Sequence, residues 1–501
     1  MNSRIPAFRP PTRFLRRGLQ ITVARLFLPA LLSLPVQAHA QETNPRVERI
    51  EQGLSGMLRV QGGTQELFSI EERMAHFNVP GVSVAVLDSG RVAWAKGYGV
   101  KDVLTGEPVT TTTLFQAASI SKPVAAMAAL RLVEEGLLDL DVPVNQYFRS
   151  WRLPENEFTE GNEVTLRHLL THTGGLTVHG FPGYAVDDRI ATTVEVLDGS
   201  GPANTDPVRV DTIPGSLWRY SGGGYTIMQL LLEDVTGKPF SELLRELVLD
   251  PGNMVISSYS QPMPPGREDF ASSGHRSDGT RVEGKWHVYP EKAAAGLWTN
   301  PSQLAHLAMD VQGAFHGEEG HILSPEMTQA QLTPGLGGYG LGFRVQGEGP
   351  SARFSHGGSN HGFKAQFMAF MEGGRGVFVM TNGDRGSALA QEIFLAVAEE
   401  YGWPEPRYQE ITLADLPAAD LQKFAGTYRL ESEELDIVIT VEGDHLRADL
   451  GGIEVIHLHP TAESFFIDLA DGTRFRIHRD EGGAAVAIEI LGAGLRAEKV
   501  G

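Results

Sequence analysis

Apolar positions along this chain follow two regimes. Residues 81–87 and 92–97 are apolar, β-branched runs joined by Asp88-Ser89-Gly90, which predicts a β-hairpin. From 124 to 138 the spacing turns helical, and helical stretches resume at 226–236, 240–248 and 301–311. Residues 361–370 and 376–381 predict strands about the turn Glu372-Gly373-Gly374-Arg375, and 388–401 predict a closing helix. A sheet built from both ends of the segment, with a helical insertion between them, follows. Residues 179–215, rich in Gly, Pro, Asp and Thr, predict a long loop over a cleft.

Past Trp403-Pro404-Glu405-Pro406 the pattern shortens. Runs at 435–441, 445–450, 453–458, 465–469, 474–477 and 485–491 alternate apolar with polar residues between Gly or Asp turns, which predicts an antiparallel barrel or sandwich. The expected organisation is an export segment at 1–40, an α/β plus all-α domain at 41–405 and a small all-β domain at 406–501.

The first forty residues carry six arginines and no acid, then an apolar run over 26–36, then Ala38-His39-Ala40 ahead of Gln41. That is a signal-peptide pattern with cleavage expected after Ala40, hence a secreted or periplasmic protein. Its apolar run is short and interrupted by proline, so no stable membrane anchor is expected. Arg16-Arg17 fits twin-arginine export, but any basic leader contains such pairs, and the general secretory route is favoured.

Without that segment 36 of the 42 Lys and Arg residues remain against 62 Asp and Glu, a formal charge of −26. A surplus of acid of this size excludes nucleic acid as the expected partner. With no cysteine there are no disulfides or thiolate metal sites, so a packed core must carry stability.

Candidate chemistry begins at Ser119-Ile120-Ser121-Lys122, at the start of the first apolar helical stretch. Residues three apart share a helix face, so the Lys122 amine can reach the Ser119 hydroxyl. A serine hydroxyl attacks acyl groups at neutral pH only with a base in reach, and a buried lysine of lowered pKa is one such base. Downstream stand Tyr220-Ser221-Gly222, after the turn Pro214-Gly215, and His356-Gly357-Gly358, after Phe354.

In that order and spacing the three motifs resemble the penicillin-recognising serine hydrolases: serine β-lactamases, D-Ala-D-Ala peptidases, D-aminopeptidases and related esterases. The stretch Arg167-His168-Leu169-Leu170-Thr171-His172-Thr173-Gly174-Gly175-Leu176 and the run Ala294-Ala295-Gly296-Leu297-Trp298-Thr299 extend the resemblance over residues 65–405, with the class-C-like, esterase-containing branch fitting best. The resemblance implies a β-lactamase-like catalytic domain, an antiparallel sheet flanked by helices with a helical insertion, and a lipocalin-like tail. The tail is read as a module that packs on the catalytic domain or helps it form a homo-oligomer.

The same resemblance implies roles. Ser119 is the nucleophile, and Lys122 or Tyr220 takes its proton, the two acting as one coupled unit. His356-Gly357-Gly358 edges the cleft. The backbone N–H groups of Ser119 and Ser359 form the oxyanion hole, and Gly357 and Gly358 admit substrate close to the backbone. Gly222 stands among the substrate contacts, where the family usually carries Asn.

Two departures bear on substrate. Gly222 removes an amide that would orient an acyl-side amide, and His356 replaces the lysine common in β-lactamases with a mostly neutral imidazole. Small-ester or amide hydrolysis therefore ranks first, D-amino-acid peptide cleavage second and β-lactam hydrolysis third. A sensing module that binds without turnover is the reading from another class. Gly335-Leu336-Gly337-Gly338-Tyr339-Gly340 matches a dinucleotide loop in letters only, since a strand pattern follows it. His356 and His361 lack a third ligand at metal spacing, so neither metal nor cofactor is expected. His172 and Thr173 are expected to brace a loop.

Overall fold

The computed structural model describes residues 44–500 apart from 64, 434, 453, 454, 470, 471 and 493. The expected signal peptide and its cleavage site lie outside these residues. Among the described residues no helix is long and apolar enough to cross a membrane.

A six-stranded antiparallel sheet forms the centre, in the order Arg91–Gly99, Gly81–Asp88, Gly376–Thr381, Phe363–Phe370, Arg353–Asn360, Arg344–Gln346. The run over 81–87 is buried throughout, Ser83 included, because both its faces are covered. Val82, Val84 and Val86 pack against Ile393 and Val397 of the C-terminal helix Gly386–Tyr401. Ala85 and Leu87 turn to the opposite layer, which contains the helices Ser121–Glu134, Gly222–Thr236 and Pro301–Phe315. A short helix, Ile70–His76, is capped by Ser69 and Glu72 and held to the C-terminal helix by the buried ion pair Arg73–Glu392, at 2.7 Å.

The hairpin, the strands after 360 and the long helices stand within a few residues of where periodicity places them. The predicted 240–248 helix is two pieces, Phe240–Leu244 and a π-helical turn over Arg245–Leu249. The loop over 179–215 holds one short helix, Thr193–Asp198, with a capping box from Thr192 and Glu195.

The tail is a closed eight-stranded antiparallel barrel: Gly426–Leu430, Leu435–Glu442, His445–Leu450, Val455–Ala462, Phe465–Asp468, Arg474–Arg479, Ala485–Ile490 and Leu495–Lys499. Alternation predicted the middle six. The first and last, which close the barrel by pairing Tyr428 with Lys499, were not read from the sequence. Inward residues such as Ile439, Leu446, Leu458 and Phe475 fill the interior. The space they leave is about 30 Å³, room for a water and not for a small ligand. The barrel joins the catalytic domain where Leu58–Val60 pairs in parallel with Gln409–Ile411.

Candidate active site

Ser119 sits in a 3-10 turn, Ala118–Ile120, that runs directly into the helix Ser121–Glu134. Ala118 before it has φ +50°, a strained value that persists only where surroundings enforce it. The enforcement is visible. Ala117 N–H donates to Leu297 O at 2.8 Å, and the Ser121 hydroxyl accepts from Leu297 N–H at 2.9 Å while donating to Ala118 O at 2.6 Å. The stretch over 294–299 is thus the wall that holds the serine turn.

Lys122 Nζ donates to Ser119 Oγ at 2.9 Å and to Ala294 O at 2.9 Å. The side chain is buried, and burial alone lowers its pKa to about 7. Near neutrality a large share of Lys122 is therefore free amine, able to turn its lone pair to the Ser119 hydroxyl.

Tyr220 comes from the loop before Gly222–Thr236, and two histidines pin that loop. His172 Nδ1 accepts from Ser221 N–H at 3.1 Å, and His179 Nδ1 donates to Tyr220 O at 2.6 Å. The Tyr220 ring lies 4.3 Å from the His172 ring, with Lys122 Nζ 4.9 Å from its centre. Burial pushes the Tyr220 phenol well above its usual range, opposed by a hydrogen bond with Ser119. His172 braces a loop as expected from sequence, and the loop is the one that carries Tyr220. Because its Nδ1 accepts, the His172 proton sits on Nε2, which has no partner among the described residues.

His356, on Arg353–Asn360, is buried. Its Nδ1 donates to Gly357 O at 2.6 Å and its Nε2 faces the Tyr339 hydroxyl at 3.4 Å. Burial and the nearby Lys122 charge hold its pKa down to about 3, so the imidazole is neutral. Tyr339 is a member of the site that sequence reasoning missed. It follows the turn Leu336–Gly338, within the glycine-rich stretch set aside as a false dinucleotide loop, and only the fold brings it to His356.

The strand Arg344–Gln346 pairs with Arg353–Asn360 only as far as Ser355, so Gly357, Gly358 and Ser359 keep one edge open. That edge runs beside the serine turn: a Cβ on Gly358 would stand 2.1 Å from Ala117 O. Gly222 is different. Its N–H donates to His179 O at 3.0 Å, and a Cβ there would meet Phe181 at 2.9 Å and His179 O at 3.0 Å. The loop over 179–181 occupies the space an asparagine side chain would fill. His361 lies past the end of the strand, stacked on His287 at 4.5 Å, away from His356 Nε2. Leu217, Trp218 and Leu336 are exposed beside this site, with the Trp218 and Tyr339 rings 5.4 Å apart.

A sheet-and-helix fold with serine, lysine and tyrosine converging beside a glycine-edged strand defines a serine hydrolase. Residues 69–401 match the protein family described as Beta-lactamase, two thirds of the chain, and the protein belongs to that family. It is 22% identical over 407 residues to Penicillin-binding protein 4* of Bacillus subtilis (strain 168), spanning 77% of this chain and 87% of that protein. It is 32% identical over 203 residues to Esterase EstB of Burkholderia gladioli, spanning 39% of this chain and half of that one. Among solved structures, the octameric penicillin-binding protein homologue from Pyrococcus abyssi shares the fold with a TM-score of 0.58 at 23% identity, covering 86% of this chain and 98% of that one.

Proposed function

We propose that the protein hydrolyses small esters or amides with an apolar acyl or alkyl group through an acyl-enzyme on Ser119. The observation that carries this reading is the character of the cleft around the serine. Its lips, Leu217, Trp218 and Leu336, are apolar, and neither an amide at 222 nor a charged group at 356 is present to hold a peptide or a β-lactam carboxylate.

In the reaction, Lys122 takes the Ser119 proton as Oγ attacks the carbonyl. Lys122 is favoured over Tyr220 because burial brings the amine down to about 7 and drives the phenol up. The N–H groups of Ser119 and Ser359 stabilise the oxyanion, and Tyr220 gives its proton to the leaving group and takes back the one Lys122 accepted, leaving Lys122 a free amine for deacylation. His356 and Tyr339 position one another by their hydrogen bond. Water then deacylates Ser119. The export pattern at 1–40 supports action in the periplasm or outside the cell, and the octameric homologue supports self-association.

A second reading, cleavage of D-amino-acid peptides, draws on two observations. The exposed Arg344 lies near enough to act electrostatically on Tyr339 and His356, a cation for a terminal carboxylate. Similarity to a penicillin-binding protein runs through most of the chain.

The test is labelling by a fluorophosphonate probe, with Ser119→Ala as control, followed by turnover of p-nitrophenyl butyrate, nitrocefin and a D-alanyl anilide. Ser119-dependent labelling with the butyrate turned over fastest supports the first reading. Fastest anilide turnover would replace it with the second. A folded protein that does not label would be a binding module without turnover.

A further inference from the structure

The barrel carries on its outer face a group of imidazoles and carboxylates that hydrolysis does not use. Leu435–Glu442, His445–Leu450 and Val455–Ala462 are consecutive antiparallel strands, with Glu442 opposite His445 and Leu446 opposite Leu458. That register sets His445 beside His459, with His457 two residues along. Ile437, Ile439, Leu446, Ala448 and Leu458 point into the barrel core, so Glu442, His445, His457 and His459, of opposite parity, share the outer face.

On that face His445 Nε2 is 2.9 Å from His457 Nδ1, and the Glu442 carboxylate is 3.9 Å from the same His457 nitrogen. The other nitrogen of His445, Nδ1, lies 3.0 Å from the Asp444 carboxylate. The His459 ring stacks on His445 at 4.5 Å and limits its rotation. Candidate ligand atoms of Glu442, His445 and His457 all lie within 4.8 Å of one another.

We propose that Glu442, His445 and His457 bind one divalent metal ion of the zinc class, with Asp444 as the group that orients His445. Zinc bonds imidazole nitrogen at about 2.0–2.1 Å in tetrahedral geometry, which sets two ligand nitrogens a little over 3 Å apart. The observed 2.9 Å is close to that, so small side-chain rotations suffice. Asp444 accepting the Nδ1 proton leaves the His445 Nε2 lone pair facing His457, the arrangement in which a carboxylate fixes the tautomer of a metal-bound histidine. Without metal, His457 Nδ1 must donate its proton to that lone pair. Metal entry moves that proton to His457 Nε2, the other tautomer of the neutral ring, which frees Nδ1 and directs both nitrogens to the ion. A ligand set of imidazole and carboxylate suits zinc, nickel or cupric ion.

His457 is half-exposed and borders, with His459, Arg59 and Arg73, a cavity of about 430 Å³ where the barrel meets the catalytic domain. The fourth position of the ion is thus open to water.

The test uses the full chain stripped with chelator. Zn²⁺ is titrated against a chromophoric indicator, and Co²⁺ reports geometry by its visible absorption. One Zn²⁺ per chain is expected, bound with Kd below about 10 µM. His445→Ala and His457→Ala should each weaken it at least tenfold, an effect on the order of that seen when a metal site loses a supporting group. Co²⁺ should give intense tetrahedral bands in the parent and in Ser119→Ala and lose them in His445→Ala. Zn²⁺ should raise the Tm of the parent and not of His445→Ala. Zn²⁺ affinity and stoichiometry unchanged by both histidine variants, or no binding in the parent below about 100 µM, would overturn the proposal.

Discussion

A Cβ on Gly358 would stand 2.1 Å from the carbonyl oxygen of Ala117, two residues before Ser119. The strand that edges the cleft and the turn that presents the serine are therefore in backbone contact, and the spacing between Ser119 and Ser359 depends on the missing side chain. Gly358→Ala must push strand and turn apart, because the obstacle is backbone and cannot rotate away. A displacement near 1 Å costs about 10² in rate, so kcat/KM for p-nitrophenyl butyrate should fall about 10²-fold while the fold persists. Steady-state kinetics beside circular dichroism checks this, and unaltered kinetics would mean the contact is not needed.

Lys122, brought to about 7 by burial, should show itself in the pH profile. Activity that needs the free amine rises as pH passes through about 7 and levels above it. Lys122→Met should lose about 10²–10⁴ of the rate and this rise with it. A parent profile flat between pH 6 and 8 would remove the lysine from the role of base.

The same burial has an opposite face in stability. Unfolded Lys122 titrates near 10.4, so between about pH 7 and 10.4 the unfolded chain holds the extra proton. Stability contributed by this residue therefore rises with pH across that window, by at most about 1.4 kcal/mol per pH unit. Denaturant unfolding of the parent and Lys122→Met at pH 7 and 9 should show their difference shifting toward the parent at the higher pH.

Glu291 predicts the reverse sign. It is buried, neither carboxylate oxygen finds a partner on another described residue, and burial raises its pKa to about 8. The unfolded chain gives up this proton near pH 4.3 and the folded chain near 8, so stability falls as pH rises between them. Glu291→Gln should remove that loss, and its advantage over the parent should be larger at pH 7.5 than at pH 5.

Gly222→Asn restores the residue usual in the family but places it against Phe181 and His179 O. It should lower the Tm and leave nitrocefin turnover no faster than in the parent. A gain in β-lactam turnover without loss of stability would show that the loop over 179–181 yields easily.

Local patterns carried much of this protein. Period-two and helical spacings located the sheet strands and long helices, because burial of one face imposes its period on the sequence whatever lies opposite. The pairing of Ser119 with Lys122 was legible for the same reason, since three residues along a helical turn set the distance without help from the rest of the chain. Tyr339 and the loop that fills the space beside Gly222 were not legible. Their positions depend on segments more than a hundred residues from Ser119, or on which loop occupies a gap, and no local period encodes either. Barrel closure through Gly426–Leu430 and Leu495–Lys499 belongs with them, because strand pairing between chain ends is a long-range choice. The pKa values are tertiary as well: Lys122 at about 7 and His356 at about 3 follow from desolvation, a property of what surrounds a side chain and not of its neighbours in sequence.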